Sequence, residues 1–149
     1  MQSILVLGAG LSSGSLIQYF LDQSDRGWKV RVGDINVDLA SQRINGHPAG
    51  EAFHFDVFNH KQLATEIRQA EIVISLLPAR MHYLVAEACV ELGKNMVTAS
   101  YLSSAIKALD ESARKKGIVL MNECGVDPGI DHMSAMQMID RIKNEGGLL

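Results

Sequence analysis

The sequence predicts an α/β fold: a doubly wound, mostly parallel six-stranded sheet with helices on both faces. Three observations predict it. Short runs of Val, Ile and Leu alternate with segments of helical spacing from the first residue to about residue 123, the rhythm of repeated βαβ units. A glycine-rich turn directly follows the first run, and an acidic residue closes the second. The chain has 149 residues, enough for one core of ordinary size.

The first strand is Ser3-Ile4-Leu5-Val6-Leu7 and the fourth Glu71-Ile72-Val73-Ile74-Ser75. Both are nearly continuously apolar, as central strands covered on both faces must be. The second, Trp28-Lys29-Val30-Arg31-Val32, and the third, Glu51-Ala52-Phe53-His54-Phe55, carry polar residues that suit outer positions. Between them, Leu16, Tyr19 and Phe20, then Val37, Ala40 and Ile44, and later Leu63 and Ile67, mark helices with one apolar face. The clearest helix carries Met81, Leu84, Val85, Ala88, Cys89 and Leu92 at steps of three and four. Asn95-Met96-Val97-Thr98 is a fifth strand, Ile106 and Leu109 mark a further helix, and Ile118-Val119-Leu120-Met121 is the sixth strand. Gly46, Gly93 and Gly117 fall where helices end.

After Asp127-Pro128-Gly129 a last helix is expected from about Ile130 to Lys143, with Ala135, Met138, Ile139 and Ile142 on one face. It stops at Gly146-Gly147, and Leu148-Leu149 reads as the start of another strand. The chain is therefore expected to be a piece of a longer enzyme. Residues 1–128 would form a nucleotide-binding domain, and residues 129–149 a helix and the start of a connection to a missing substrate-binding domain.

Composition narrows the function. Apolar residues make up 47% and charged residues 21%, with a net charge of −3, the wrong sign for a phosphate backbone or an anionic membrane surface. No nucleic-acid or membrane partner is expected. The longest apolar stretch, Ile72 to Pro78, is interrupted by Ser75 and falls far short of the ~20 residues that span a bilayer. Gly8-Ala9-Gly10 cuts the N-terminal apolar run too early for a secretory signal. The two cysteines, Cys89 and Cys124, have no C-x-x-C spacing, in keeping with a reducing, cytoplasmic setting. The five histidines show no metal-ligand spacing, so no metal is expected.

Gly8-Ala9-Gly10-Leu11-Ser12-Ser13-Gly14 lies between the first strand and the first helix, where a Rossmann-type dinucleotide fingerprint belongs. Gly8 permits the tight turn and Gly10 lets a pyrophosphate approach the backbone. The amides of Leu11 and Ser12 begin a helix N-terminus that attracts the anion. Ser13 stands where the third glycine is usual, and its hydroxyl is expected to bond a phosphate oxygen. Asp34, about 20 residues on, is placed to accept both adenosine ribose hydroxyls, which favours NAD over NADP. Arg31 and Arg43 keep NADP open, and Asp38 is a weaker candidate. Asp56 and Val57 follow the third strand and could border the adenine. Ser75-Leu76-Leu77-Pro78 follow the fourth, with Leu76 and Leu77 as an apolar wall near the nicotinamide. Thr98-Ala99-Ser100-Tyr101 and Asn122-Glu123-Cys124-Gly125-Val126-Asp127 project from the last two strands toward one rim, dense in polar groups.

The ordered set Gly8-Ala9-Gly10, Ile74 to Pro78, His82, Ser100-Tyr101 and Asn122-Glu123-Cys124-Gly125-Val126-Asp127-Pro128-Gly129-Ile130-Asp131-His132 resembles the saccharopine dehydrogenases, the glutamate-forming kind most closely. The resemblance covers essentially the whole chain. It implies oxidation of saccharopine to glutamate and 2-aminoadipate semialdehyde, with hydride passing to the nicotinamide and water hydrolysing the resulting imine. By the same resemblance Ser13, Asp34, Asp56, Leu76, Leu77 and Ala99 would line NAD or NADP. Ser100, Tyr101 and Asp127 would touch an amino-acid substrate, and a homodimer is possible. The residues themselves do not single out a catalytic proton carrier: His82, His132, Glu123 and Asp127 all qualify, and each also has a structural reading. Two alternatives stay open: a regulatory nucleotide-sensing Rossmann module, and a related dehydrogenase acting on carboxynorspermidine or lysine.

Overall fold

The computed structural model describes residues 2–148. The strands are β1 (Gln2–Leu7), β2 (Trp28–Asp34), β3 (Gly50–His54), β4 (Ile72–Ser75), β5 (Asn95–Thr98) and β6 (Leu120–Met121). The helices are α1 (Gly14–Asp22), α2 (Val37–Ile44), α3 (His60–Arg68), α4 (His82–Leu92), α5 (Ser104–Lys107), α6 (Asp110–Lys115) and α7 (Ile130–Asn144). The sheet order is β3-β2-β1-β4-β5-β6 and every pairing is parallel. β1 and β4 sit at the centre, as their apolar runs require. Of the two polar strands, β3 is an edge, whereas β2 is flanked by β1 and β3.

Alternation along β1 divides the core into two layers. Ile4 and Val6 pack with Val30, Val32, Ile17, Leu21, Ala40 and Ile44 under α1 and α2. Leu5 and Leu7 pack on the other face with Val73, Met96, Leu63, Ile67, Val85 and Cys89 under α3 and α4. Cys89 is enclosed there, and burial pushes its thiol up to about 12, so it is an inert packing residue.

Arg31 points into this second layer as well. Its guanidinium lies over the Phe53 ring at 4.9 Å, and Nη1 stands 2.7 Å from Glu66 Oε2 while Nη2 meets Glu51 Oε1 at 3.2 Å. The Arg31 and Glu66 side chains are only 11% and 13% exposed, so removing Glu66 leaves Arg31 Nη1 buried without an acceptor and only the longer, more exposed contact to Glu51 to balance the charge. Glu66→Ala is expected to lower unfolding free energy by about 3 kcal/mol, read as a lower urea midpoint at unchanged slope.

Two elements differ from the sequence expectation, and a third, α7, forms as expected but lies uncovered. The stripe through Ile106 and Leu109 breaks into α5 and α6, with Ile106 and Ala113 as its buried anchors. The sixth strand keeps ladder geometry only at Leu120–Met121, because Val119 N–H donates to the Asn95 side chain instead of a neighbouring backbone. In α7 no residue is buried, and the face of Ala135, Met138 and Ile142 is exposed rather than packed. Leu148 has no regular structure, and Leu149 lies outside the described residues.

Candidate functional site

The turn after β1 is held by the ends of three strands. Gly8 N–H donates to Gly33 O at 2.8 Å, and Leu76 N–H donates to Leu7 O at 2.8 Å. Gly8 has φ +105°, and a Cβ there would stand 2.8 Å from the Leu76 carbonyl oxygen, so only glycine fits. Beside Gly10, by contrast, a Cβ would meet nothing within 4 Å. That open space belongs to a crevice of about 700 Å³ lined by Gly8, Gly10, Asp34, Asp56, Val57, Leu76, Leu77 and Pro78, together with Ile35, Phe55, Phe58 and Met81. Its size and mostly apolar walls suit a dinucleotide segment.

Asp34 does more than face this crevice. Oδ2 accepts the Ala9 N–H at 2.7 Å and Oδ1 accepts the Asn36 N–H at 2.8 Å, which fixes the carboxylate at the end of β2 and ties it to the turn. Asp56 Oδ1 similarly accepts the Phe58 N–H, so this side chain also braces its own loop.

Five predicted residues stand apart from the crevice lining. The Ser13 hydroxyl donates to Gly10 O at 2.8 Å and the residue is fully buried. Its proton closes the turn rather than pointing into the crevice. Ser75 is also fully enclosed, with Oγ 2.8 Å from His82 Nδ1. Leu11 and Ser12 are exposed at the start of the helical segment, and Ala99 is half-buried beyond β5. Arg31, sequestered in its ion pair, cannot read a ribose substituent. Arg43 reaches the turn from α2, but it donates to Ala9 O at 3.3 Å and Gly10 O at 3.0 Å. It neutralises the carbonyl side of the turn, a use that no spacing rule announces.

The second half of the site lies where β5 and β6 end. Tyr101 Oη donates to Asp127 Oδ1 at 2.5 Å across 26 positions of sequence. This hydrogen bond, with desolvation and the charges of Asp127, Asp131 and Glu123, raises the phenol above its ordinary value. Glu123 N–H donates to Ser100 O, and Glu123 Oε1 accepts the Leu102 N–H at 3.1 Å, so this acid buttresses the two loops. The loop folds back on itself: Gly125 N–H donates to Pro128 O and Ile130 N–H to Gly125 O. A Cβ on Gly129, whose φ is +149°, would overlap the Gly125 carbonyl. Asp127, Asp131 and His132 are exposed and bring ligand-type atoms within 4.8 Å of one another, with His132 Nδ1 already 2.9 Å from Asp131 Oδ1. A second hollow of about 700 Å³ lies beside β6 between Leu102, Ile106, Arg114 and Val119; of the candidate residues only Glu123, with Asn122 beside it, reaches its lining.

A parallel sheet with a glycine turn at its central strand, an acid at the end of the next strand and an open crevice between them defines a Rossmann-type dinucleotide-binding domain. The chain belongs to the saccharopine dehydrogenase family: the family description "Saccharopine dehydrogenase NADP binding domain" matches residues 4–121. It is 34% identical to the Schizosaccharomyces pombe "Saccharopine dehydrogenase [NADP(+), L-glutamate-forming]", over 99% of this chain and 32% of the relative. It is 36% identical to the Bos taurus "Alpha-aminoadipic semialdehyde synthase, mitochondrial", over 99% of this chain and 16% of the relative. The apo structure of the glutamate-forming saccharopine dehydrogenase from Saccharomyces cerevisiae superposes with a TM-score of 0.86 at 31% identity, covering 98% of this chain and 32% of that one. The chain thus spans a third or less of these relatives. Among the described residues no helix is long and apolar enough to cross a membrane.

Proposed function

We propose that this chain is the coenzyme-binding part of an oxidoreductase acting on the CH–NH bond of saccharopine, giving glutamate and 2-aminoadipate semialdehyde in lysine metabolism. Residues 1–128 are the nucleotide-binding unit. Residues 129–149 lead to a further substrate-binding domain, without which turnover is slight. The observation that carries this reading is the Tyr101–Asp127 hydrogen bond at the strand-end rim, polar chemistry that a nucleotide sensor has no use for.

The residues fit a nicotinamide dinucleotide: a Cβ on Gly10 would meet nothing within 4 Å, and the helical segment that starts at Leu11 has first-turn N–H groups of the kind that attract an anion. When bound, the coenzyme supplies hydride acceptance. The chain supplies position. Amides of residues 10–12 hold the diphosphate, Asp34 accepts from the adenosine ribose, Asp56 and Val57 border the adenine, and Leu76, Leu77 and Pro78 keep water from the ring. Ser100, Tyr101 and Asp127 hold the substrate amino acid, and water hydrolyses the imine that results.

NAD is the preferred coenzyme. Asp34 is held as an acceptor at the end of β2, where a 2′-phosphate would meet repulsion, and the Arg31 guanidinium is engaged with Glu66. The exposed apolar face of α7, with Met133, Met136 and Met138, is the surface for the substrate domain or a second copy of the chain. Two free cysteines suit the reducing cytoplasm. In calorimetric titration NADH is expected to bind at least ~10-fold more tightly than NADPH. Equal affinities overturn the NAD preference. No binding of either at millimolar concentration overturns the whole reading.

A further inference from the structure

His82 opens α4 with its ring 2% exposed between the ends of β4 and β5. Nδ1 lies 2.8 Å from Ser75 Oγ, and Nε2 lies 2.8 Å from Ser100 Oγ. Thr98 Oγ1 is 3.2 Å from Nε2 and 3.5 Å from Nδ1. Burial pushes the imidazole below the ordinary histidine value, so the ring is neutral, with one N–H and one lone pair to share among the hydroxyls of Ser75, Ser100 and Thr98. Ser75 decides which nitrogen has which. Its hydroxyl is wholly enclosed, and among the described residues its only hydrogen-bond partner is His82 Nδ1. If Nδ1 carried the proton, the Ser75 proton would be a buried donor with no acceptor. The equally buried Thr98 hydroxyl competes for a ring lone pair only across 3.2 Å and 3.5 Å, so the 2.8 Å contact of Ser75 takes it. The Ser75 hydroxyl therefore donates to Nδ1, the ring proton sits on Nε2, and Nε2–H donates to Ser100 Oγ. The Ser100 oxygen is then an acceptor inside the protein, and its own proton is left to donate outward, at the rim where Tyr101 and Asp127 meet.

We propose that His82, set in its Nε2–H form by Ser75, is a positioning residue that makes the half-buried Ser100 hydroxyl a hydrogen-bond donor to a carboxylate oxygen of the amino-acid substrate. The inference rests on the oxidoreductase reading for the identity of the ligand, but its tautomer half stands on this chain alone. His82 touches no substrate and moves no proton during turnover. It selects which end of a serine faces the ligand, a choice that geometry without tautomer logic leaves open.

Two measurements test it. Long-range ¹H–¹⁵N spectra of the chain labelled at histidine, with the His82 signals identified by their loss in His82→Gln, are expected to show the Nε2–H form, and Ser75→Ala is expected to populate the Nδ1–H form. An Nδ1–H ring in the folded wild-type chain overturns the proposal whether or not the chain binds NADH. Absence of NADH binding with an Nε2–H ring would instead overturn the oxidoreductase reading. In the intact enzyme that carries this chain, Ser100→Ala and His82→Leu are each expected to raise KM for saccharopine about 10-fold, the loss of one hydrogen bond to a charged group, with NADH affinity unchanged. The double variant should be no worse than either single one, and His82→Gln, which keeps an N–H donor, should recover most of the loss. Additive losses, or a matching fall in NADH affinity, overturn it.

Discussion

Gly8→Ala is expected to weaken NADH binding by at least ~100-fold and to lower the melting temperature by several degrees. The added methyl would lie 2.8 Å from Leu76 O and 2.9 Å from Leu76 C, and the residue would be forced to hold φ at +105°. Neither neighbour can give way cheaply. Leu76 N–H is bonded to Leu7 O and Gly8 N–H to Gly33 O, so moving the turn pulls on β1, β2 and the exit of β4 together. Gly10→Ala is the informative companion: its methyl meets no protein atom within 4 Å, so the fold should melt as the wild type does while NADH affinity still falls. The pair separates a glycine required by the protein from one required by the ligand. A Gly10→Ala chain with wild-type NADH affinity would show that the crevice is not the diphosphate site.

Asp34→Ala should cost a comparable amount and change the coenzyme choice as well. It removes the acceptor of two backbone N–H groups, Ala9 at 2.7 Å and Asn36 at 2.8 Å, each a charge-assisted bond. It also removes the charge proposed to meet the ribose. NADH affinity is expected to fall by ~30-fold or more, whereas NADPH affinity should fall less, because the repulsion of its 2′-phosphate disappears with the carboxylate. Parallel fluorescence titrations of both coenzymes read the ratio. A ratio identical to that of the wild type would place the ribose somewhere other than the end of β2.

Much of this site is legible along the chain because its parts are local. Strand β1, the turn at Gly8 and Gly10 and the acid at Asp34 occupy adjacent stretches whose residue types carry their own conformational demands. The α4 stripe is equally plain, and its buried residues Val85 and Cys89 are among those the spacing marked. The misreadings have physical causes. Ser13 was expected to meet phosphate because a hydroxyl is a good donor, but the 3₁₀ turn at Leu11–Ser13 brings the Gly10 carbonyl within its reach first. The α7 stripe forms the expected helix, but a periodic apolar face shows only that something can be covered, not what covers it. Arg43 looked like a cofactor reader from its place after β2, yet its long side chain is drawn to the unpaired carbonyls of the turn.

Residue order by itself determined the strands, their parallel sense, the glycine turn after β1 and the rim toward which the segments after β5 and β6 project. These follow from periodicity, turn chemistry and the need to bury both faces of a central strand, each expressed within a short stretch of sequence. Only the tertiary structure decided that His82 joins Ser75 to Ser100 and that Tyr101 meets Asp127, contacts that span 7, 18 and 26 positions. Which polar groups are enclosed together depends on strand order and helix placement, and the cost of leaving a buried donor without an acceptor then sets where each proton goes.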